Sequence, residues 1–533
     1  MPPAGVAALS LFVLVALVMP GIARAQIGAS EATHVANGDT NVVKEREENG
    51  ALTHSASKVD GNWEVAYFAD DKEVALVIVD PDTGLVRESW TGYQVAWKMA
   101  RGYSGAFGHK LNAPYVFLPL CAIFLLGLVD WRRRWRLANL DLLVLLGFGI
   151  SNFFFNRAEI GVSVPLQYIP LLYLFGRALW IGLRGRGEGI RPYWSASWLL
   201  IAALFLVGFR VGLNMADSGA VDVGYAGVVG ADRISHGEPI YGNFPEDVSQ
   251  GDTYGPVNYL AYVPFERIWP WSGSWDDLPA AHGAAVFFDL ATFAMLIFLG
   301  RRIRPGPEGN KLAATLAFGW AAYPYTAFAL LSNSNDTLVA MLLVATLLAL
   351  ARPAARGVMA ALATFAKFAP AVLVPMLATY GEKRWRFVVA FALTTIAVML
   401  WPAIDPGLHT FYDRTLAYQG GRNSPFSIWG QAPSLEPIRI AILAGVAGLA
   451  LLFAIRPKDK KLTQVAALGA ALLIGVQLTM HHWFYLYIVW FYPLFLVAMA
   501  VGSNHLPTKE EREPSPAQSS QPAPARSPQP RHP

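Results

Sequence analysis

The sequence predicts an all-α polytopic membrane protein with a small α+β domain near its N-terminus, on three observations. Of 533 residues, 54% are hydrophobic and only 15% charged, against roughly 25% charged in an ordinary soluble domain. Apolar runs of roughly twenty residues, enough to span a bilayer, recur from residue 113 onward, and the mean hydropathy is +0.36. Eighteen of the 42 Lys and Arg fall in six short clusters between those runs, a placement that sets topology rather than one that binds a polyanion. A disordered chain and a nucleic-acid-binding protein are thereby excluded. The single cysteine, Cys121, lies inside an apolar run, so the chain has no intramolecular disulfide framework and no thiolate metal cluster.

Residues 1–26, MPPAGVAALSLFVLVALVMPGIARAQ, have a short apolar core ending in Ala23-Arg24-Ala25 before Gln26. That small-x-small ending suits signal-peptidase cleavage, while the missing basic n-region fits an uncleaved anchor instead. Either reading puts the segment from residue 27 outside the cytoplasm. Residues 27–110 are rich in charge and contain no spanning run, which predicts an exported extracytoplasmic domain. Within it, residues 63–68, 73–79 and 85–90 read as strands, and Pro81-Asp82-Thr83-Gly84 supplies the turn between the last two. The stretch VIVDPDTGLVRESWTG resembles the strand-turn-strand of PepSY-type domains; the plainer reading is a small β-containing domain with a structural or regulatory role.

Eleven apolar spans come next, at 113–131, 138–155, 163–183, 196–213, 281–300, 311–331, 336–351, 387–402, 437–455, 463–480 and 483–501. With the N-terminal domain outside, the first span runs inward and ends at Trp131-Arg132-Arg133-Arg134-Trp135-Arg136. The same alternation puts Arg184-Gly185-Arg186, Arg301-Arg302-Ile303-Arg304, Arg352 to Arg356, Lys383-Arg384-Trp385-Arg386 and Arg456 to Lys461 inside, as the positive-inside rule asks. The cluster at 383–386 obeys the rule only if residues 357–380 enter and leave on one side. Lys367 interrupts that stretch, with Pro370 and Pro375 beyond it, so a broken, re-entrant hairpin is expected. Irregular backbone at membrane depth is tolerated where protein or a wet cavity surrounds it. Residues 111–195 would then be accessory helices, and 503–533, rich in Pro, Ser, Gln and Ala, a disordered cytoplasmic tail.

Two long external loops remain, 214–280 and 403–436. The first holds the densest polar and aromatic set in the chain, too long for a plain connector. Its residues Asp222-Val-Gly-Tyr225, Ser235-His236-Gly237-Glu238-Pro239-Ile240-Tyr241 and Asp252-Thr253-Tyr254-Gly255-Pro256 resemble the first external loop of GT-C membrane glycosyltransferases. Ser332-Asn333-Ser334-Asn335-Asp336, the Lys367-x-x-Pro370 hairpin, Ser424-Pro425-Phe426-Ser427 and HHWFYLYIVWFYPLF resemble, in the same order, later blocks of glycosyltransferase family 87, the polyprenol-phosphate-mannose-dependent mannosyltransferases. The resemblance covers residues 196–502 as a GT-C-like catalytic module. Tyr225 stands three positions after Asp222, and Gly255 stands where that family often has a second proline.

The resemblance implies inverting transfer of a sugar, mannose above all, from a polyprenyl-phosphate donor to a lipid-linked or cell-envelope glycan on the outer face of the cell membrane. Such chemistry needs a carboxylate within reach of the acceptor hydroxyl and cations facing the leaving phosphate. A donor without a nucleotide diphosphate calls for no metal or other cofactor. Asp222 is the expected base, with Asp217 second; for either, a helix cap or a solvated loop acid is the alternative. Arg210 near the end of its span, Lys367, His481, His482 and Arg422 are the expected phosphate ligands. Arg210 would share a helix face with Asp217, seven residues on, if the helix continues; snorkelling is its alternative, as for Lys367. Tyr225, Tyr241, Tyr254, Asn333 and Asp336 are expected to meet acceptor or sugar, although Asn335 or Asp336 could simply cap a helix. A transporter or flippase would show inverted repeats, which the sequence lacks; a non-catalytic sensor or assembly factor would depend wholly on residues 27–110.

Overall fold

The computed structural model describes residues 26–102, 109–185, 187–421 and 424–502. Residues 1–25 of the expected signal peptide or anchor 1–26, Arg422 and the tail 503–533 lie outside the described residues. The chain forms two units, residues 1–103 with 155–159, and residues 104–154 with 160–533.

In the first unit, α1 (Ala29–Asn37) and α2 (Thr40–Asn49) precede an antiparallel meander of β1 (Thr53–Val59), β2 (Asn62–Ala69), β3 (Lys72–Val79) and β4 (Val86–Thr91), in the order β1-β2-β3-β4. Side chains on a strand alternate between faces. Accordingly Val65 and Tyr67 of β2 meet Ala75, Val77 and Val79 of β3 on one buried face, which Ala32 and Ala36 of α1 cover. The predicted turn forms as expected: Asp80 Oδ1 accepts the amides of Asp82 and Thr83, both at 2.9 Å, and Gly84 takes φ +70. The expected three strands are corrected to four. β1, THSASKV, carries no apolar alternation, and it is a strand because β2 pairs with it along its whole length, from Thr53 opposite Phe68 to Val59 opposite Asn62.

The second unit is helical: α3 (Pro114–Leu128), α4 (Leu137–Leu146), α5 (Phe148–Phe155), α6 (Ile160–Arg184), α7 (Ala196–Ala216), α8 (Asp222–His236), α9 (Pro256–Glu266), α10 (Pro279–Ile303), α11 (Gly306–Ala322), α12 (Pro324–Leu331), α13 (Asp336–Leu348), α14 (Pro353–Ala366), α15 (Arg384–Pro402), α16 (Glu436–Ile455), α17 (Leu462–Leu478) and α18 (Ile488–Val501), with helices of five residues or fewer left unlabelled. Six helical stretches among the described residues are long and apolar enough to cross a membrane, and five more are apolar but shorter. The chain is therefore a mostly helical, multi-pass membrane protein. The expected span 311–331 divides at Tyr323, where Pro324 removes an amide donor and opens a new helix.

Buriedness separates two kinds of helix. α17 and α18 are buried on nearly every side, α18 packing on α13 and α17 on α6. α15 and α16 turn Leu393, Ile396, Leu400, Ile442 and Leu451 outward, as helices solvated by lipid do.

The segment after α14 doubles back. Lys367 leaves helical geometry at φ −141 and ψ 138, and leads into a 3₁₀ turn, Ala369–Leu373, and a short helix, Val374–Ala378. Arg356, at the start of α14, donates to the carbonyls of Leu377 at 3.1 Å and Tyr380 at 2.9 Å. Both ends of the hairpin are thus held together, with Lys367 at its tip.

Candidate functional site

Lys367 carries the densest chemistry in the helical unit. Its ammonium is 2.5 Å from Asp336 Oδ1 and lies over three rings, those of Tyr254 (5.1 Å), Trp490 (5.1 Å) and Tyr487 (5.4 Å). Each ring face is electron-rich, so the cage stabilises a cation removed from water. Asp336 Oδ1 also accepts the indole N–H of Trp490 at 2.7 Å. Five places in the sequence meet here: the 214–280 segment, the 332–336 turn, the hairpin tip, the turn after α17, and α18.

The 332–336 turn is shaped by close approach. Asn333 adopts φ +45, and a Cβ on Gly224 of α8 would fall 2.2 Å from the Asn333 carbonyl oxygen. The cap reading of this turn is corrected: Asn335 makes no capping hydrogen bond, and the Asp336 carboxylate turns to Lys367. Asn335 Nδ2 instead donates to Asn258 Oδ1 at 2.9 Å. Four buried polar atoms here, Asp336 Oδ2, Asn335 Oδ1, Asn258 Nδ2 and the Tyr262 hydroxyl, have no hydrogen-bond partner among the described residues. Buried polar groups are normally paired, so these four atoms keep unused hydrogen-bonding capacity.

Asp222 opens α8 and lines a cavity of about 170 Å³ with Asp247, Ser249, Gly251 and Tyr254. Tyr254 therefore belongs to both places, lining this cavity and meeting Lys367 with its ring. Gly255 explains how the loop reaches so close. Its φ of −70 suits any residue, but a Cβ there would lie 2.1 Å from the Phe365 carbonyl oxygen, two residues before Lys367.

The other expected residues are spread over several surroundings. Asp217 ends α7 as its C-cap, accepts the Lys110 amide at 3.0 Å and lines a separate cavity of about 590 Å³ with Asn214, Ser218 and His282. Asn333 belongs to that second cavity's network, accepting from Asn214 at 2.8 Å and donating to Ser218 at 3.0 Å. The shared face of Arg210 and Asp217 is corrected, because α7 stops at Ala216. Arg210 is buried and pairs with Asp289 of α10, with further bonds to the Trp320 carbonyl (3.1 Å) and Thr326 (3.2 Å). Tyr225 is buried, donates to Asp247 at 3.2 Å and stacks on Trp275. Tyr241 is buried with its hydroxyl on the Tyr254 carbonyl at 2.9 Å. The adjacent histidines diverge: His481 Nε2 lies 3.1 Å from Glu436, whereas His482 bonds Ser424 at 2.9 Å and its ring is 6.4 Å from Tyr487 of the cage.

Two ion pairs are not anticipated by the sequence reading. Arg414 lies in a helical stretch that continues from α15 to Gly421, which corrects the expected loop start at 403, and it donates to Asp252 through Nε (2.7 Å) and Nη2 (2.8 Å), tying that stretch to the 214–280 segment. Asp289 does carry a local signal, an acid in the middle of an apolar run, which demands a partner. Arg414 carries none, since nothing local marks which of several loop arginines meets Asp252.

Residues 253–501 match glycosyltransferase family 87. Within the family-87 segment lie Tyr254, Asn333, Asp336, Lys367, His481 and His482, hence the whole Lys367 cage; Asp222, Asp217, Arg210, Tyr225 and Tyr241 precede it. The match supports glycosyltransferase activity in a membrane protein, with a lipid-linked donor and a glycan acceptor. No curated protein and no solved structure matches the chain.

Proposed function

We propose that the chain transfers a hexose, mannose above all, from a polyprenyl-phosphate donor to a lipid-linked or cell-envelope glycan on the outer face of the cell membrane. The observation that carries this reading is the position of Tyr254, which lines the Asp222 cavity and covers the Lys367 ammonium at 5.1 Å. An acid lining a cavity and a buried cation thus share one neighbour, Tyr254.

In this reading Asp222 takes the proton of the acceptor hydroxyl as its oxygen attacks the anomeric carbon. The bond from that carbon to the phosphate oxygen breaks on the opposite face, so configuration inverts, and the electron pair leaves with the polyprenyl phosphate. Lys367 and His482 offset the charge gathering on that phosphate. Asn335, Asp336 and Tyr262 hold sugar hydroxyls through their unpaired atoms, and the outward apolar faces of α15 and α16 leave room for the polyprenyl chain. Asp217 and Asn333 stand aside at the second cavity, and Arg210 holds α7 to α10.

Membranes containing the Asp222→Asn chain should transfer labelled mannose from polyprenyl-phosphate-mannose about 10²- to 10⁴-fold more slowly, the usual worth of a general base. Undiminished transfer would remove Asp222 from the role. Transfer from a nucleotide-diphosphate sugar alone would overturn the donor assignment. A chain lacking residues 27–110 should keep transfer, which separates an enzyme from a sensor built around that domain.

A further inference from the structure

A second charged cavity, about 430 Å³, lies at the other end of the helical unit. α7 starts beside it, just after Arg191 and Tyr193 of its wall, and runs 21 residues to Asp217, about 31 Å at 1.5 Å per residue. α10 runs back and ends at Arg304, also in its wall.

Five cations face this cavity: Arg132, Arg133, Arg191, Arg304 and Lys311. They come from three separate segments, the loops after α3 and α6 and the stretch from the end of α10 into α11. A topology signal requires basic residues beside the spans but not their convergence on one cavity. Three acids share the wall, Asp130, Glu188 and Glu308. Arg136 draws off two of them, with Nη1 2.8 Å from Asp130 and Nε 3.4 Å from Glu188. Glu308 is 73% exposed and only loosely paired with Arg304 at 3.9 Å. The cavity keeps a positive excess.

Some of these cations are held in place. The Arg132 guanidinium lies 5.2 Å over the Tyr193 ring, and Arg304 donates to the Val501 carbonyl at 2.5 Å. Arg133, Arg191 and Lys311 form no ion pair with another described residue. Ile190, Leu312 and Ala500 supply an apolar floor. Arginines and lysines converging on one point match the several oxygens of a phosphate, and the ends of apolar spans stand at the level of lipid headgroups.

We propose that this cavity binds a phosphate group, that of an anionic membrane lipid or of a small soluble phosphate ester. The site is independent of the transfer chemistry, being a span's length away from Asp222.

The test uses the full chain in neutral detergent, titrated with dioleoyl phosphatidic acid in mixed micelles and followed by native mass spectrometry. The Arg133→Gln/Arg191→Gln/Lys311→Gln chain should bind tenfold or more weakly, since each basic residue near an anionic lipid is worth about fivefold. The Lys383→Gln/Arg384→Gln/Arg386→Gln chain removes the same charge from the start of α15, outside the cavity wall, and should bind like the unsubstituted protein. Should the triple variant fail to fold, Arg191→Gln alone, at an exposed position, should still weaken binding. Displacement of the lipid by glycerol 3-phosphate would support a site that admits soluble phosphates; persistence of the lipid would support a headgroup site seated in the bilayer. Equal binding by the cavity variants and the unsubstituted chain, or equal loss in the 383–386 control, would overturn the proposal.

Discussion

The ammonium of Lys367 and the carboxylate of Asp336 meet at 2.5 Å in the interior of the helical unit, 31 residues apart in sequence. A buried pair of this kind is costly to leave half-made: deleting one partner leaves a charge without compensation, at about 3–5 kcal/mol. Lys367→Met should therefore lower unfolding stability by about that amount. Adding Asp336→Asn should recover most of it, because a neutral amide can still accept the Trp490 N–H. Thermal unfolding of the two chains in detergent checks this, and sugar transfer should be lost in both. Equal stability losses in the single and double variants would deny the pair its structural weight.

Asp252 and Arg414 make the corresponding prediction for the contact between the 214–280 segment and the stretch after α15. Asp252 is fully buried and Arg414 is the guanidinium that answers it, so Arg414→Ala should free the loop around Ser249 and Asp252. Arg414→Lys should not restore it, since an ammonium cannot make the two-pronged contact. Limited proteolysis between residues 242 and 255 reads the effect: both variants should be cut faster than the unsubstituted chain.

Gly255 offers a steric test. Gly255→Ala places a methyl 2.1 Å from the Phe365 carbonyl oxygen, which must push the hairpin tip away from Tyr254. Transfer should fall more than tenfold, and stability by about 1–3 kcal/mol, the usual cost of overpacking. Gly208→Ala is the contrast. A Cβ there meets nothing within 4 Å inside α7, so the change should be neutral or stabilise by up to about 1 kcal/mol.

The first unit has an acid limit set by Asp80. Amides of its own turn, Thr83 first, and then Arg87 hold its carboxyl down to about 2, from an ordinary 3.8. A depressed carboxyl contributes stability above its unfolded value and loses it as the pH falls through its folded value. Peptic cleavage within residues 26–102 should therefore rise as the pH drops from about 4 to about 2. In Asp80→Asn the cleavage seen at pH 4 should already approach that of the unsubstituted chain near pH 2. Identical pH profiles for the two chains would show that the turn contributes nothing.

How much of this is legible in the sequence depends on the range of the signal. Lys367 with Pro370 three residues on announces a broken hairpin, because a missing amide and a charge in an apolar run are local facts. The Asp80 turn is equally readable from Pro81 to Gly84. β1 is not, since THSASKV becomes a strand only by lying beside β2. Asp289 is readable as a buried acid in need of a cation, but weighing Arg210 against the acid nearest in sequence, Asp217, leads away from the pair.

By itself the sequence determined the fold class, the apolar runs, the basic loops and the place where α14 must break, since hydropathy, charge and proline act over a few residues. Only the tertiary structure decided which charges meet. It sent Arg210 to Asp289 and Asp217 to Lys110, separated Asp217 from Asp222 into two cavities, and brought Tyr254, Asp336, Lys367, Tyr487 and Trp490 around one ammonium. A charge removed from water must find a counter-charge, and the one it finds is set by how the helices pack rather than by distance along the chain.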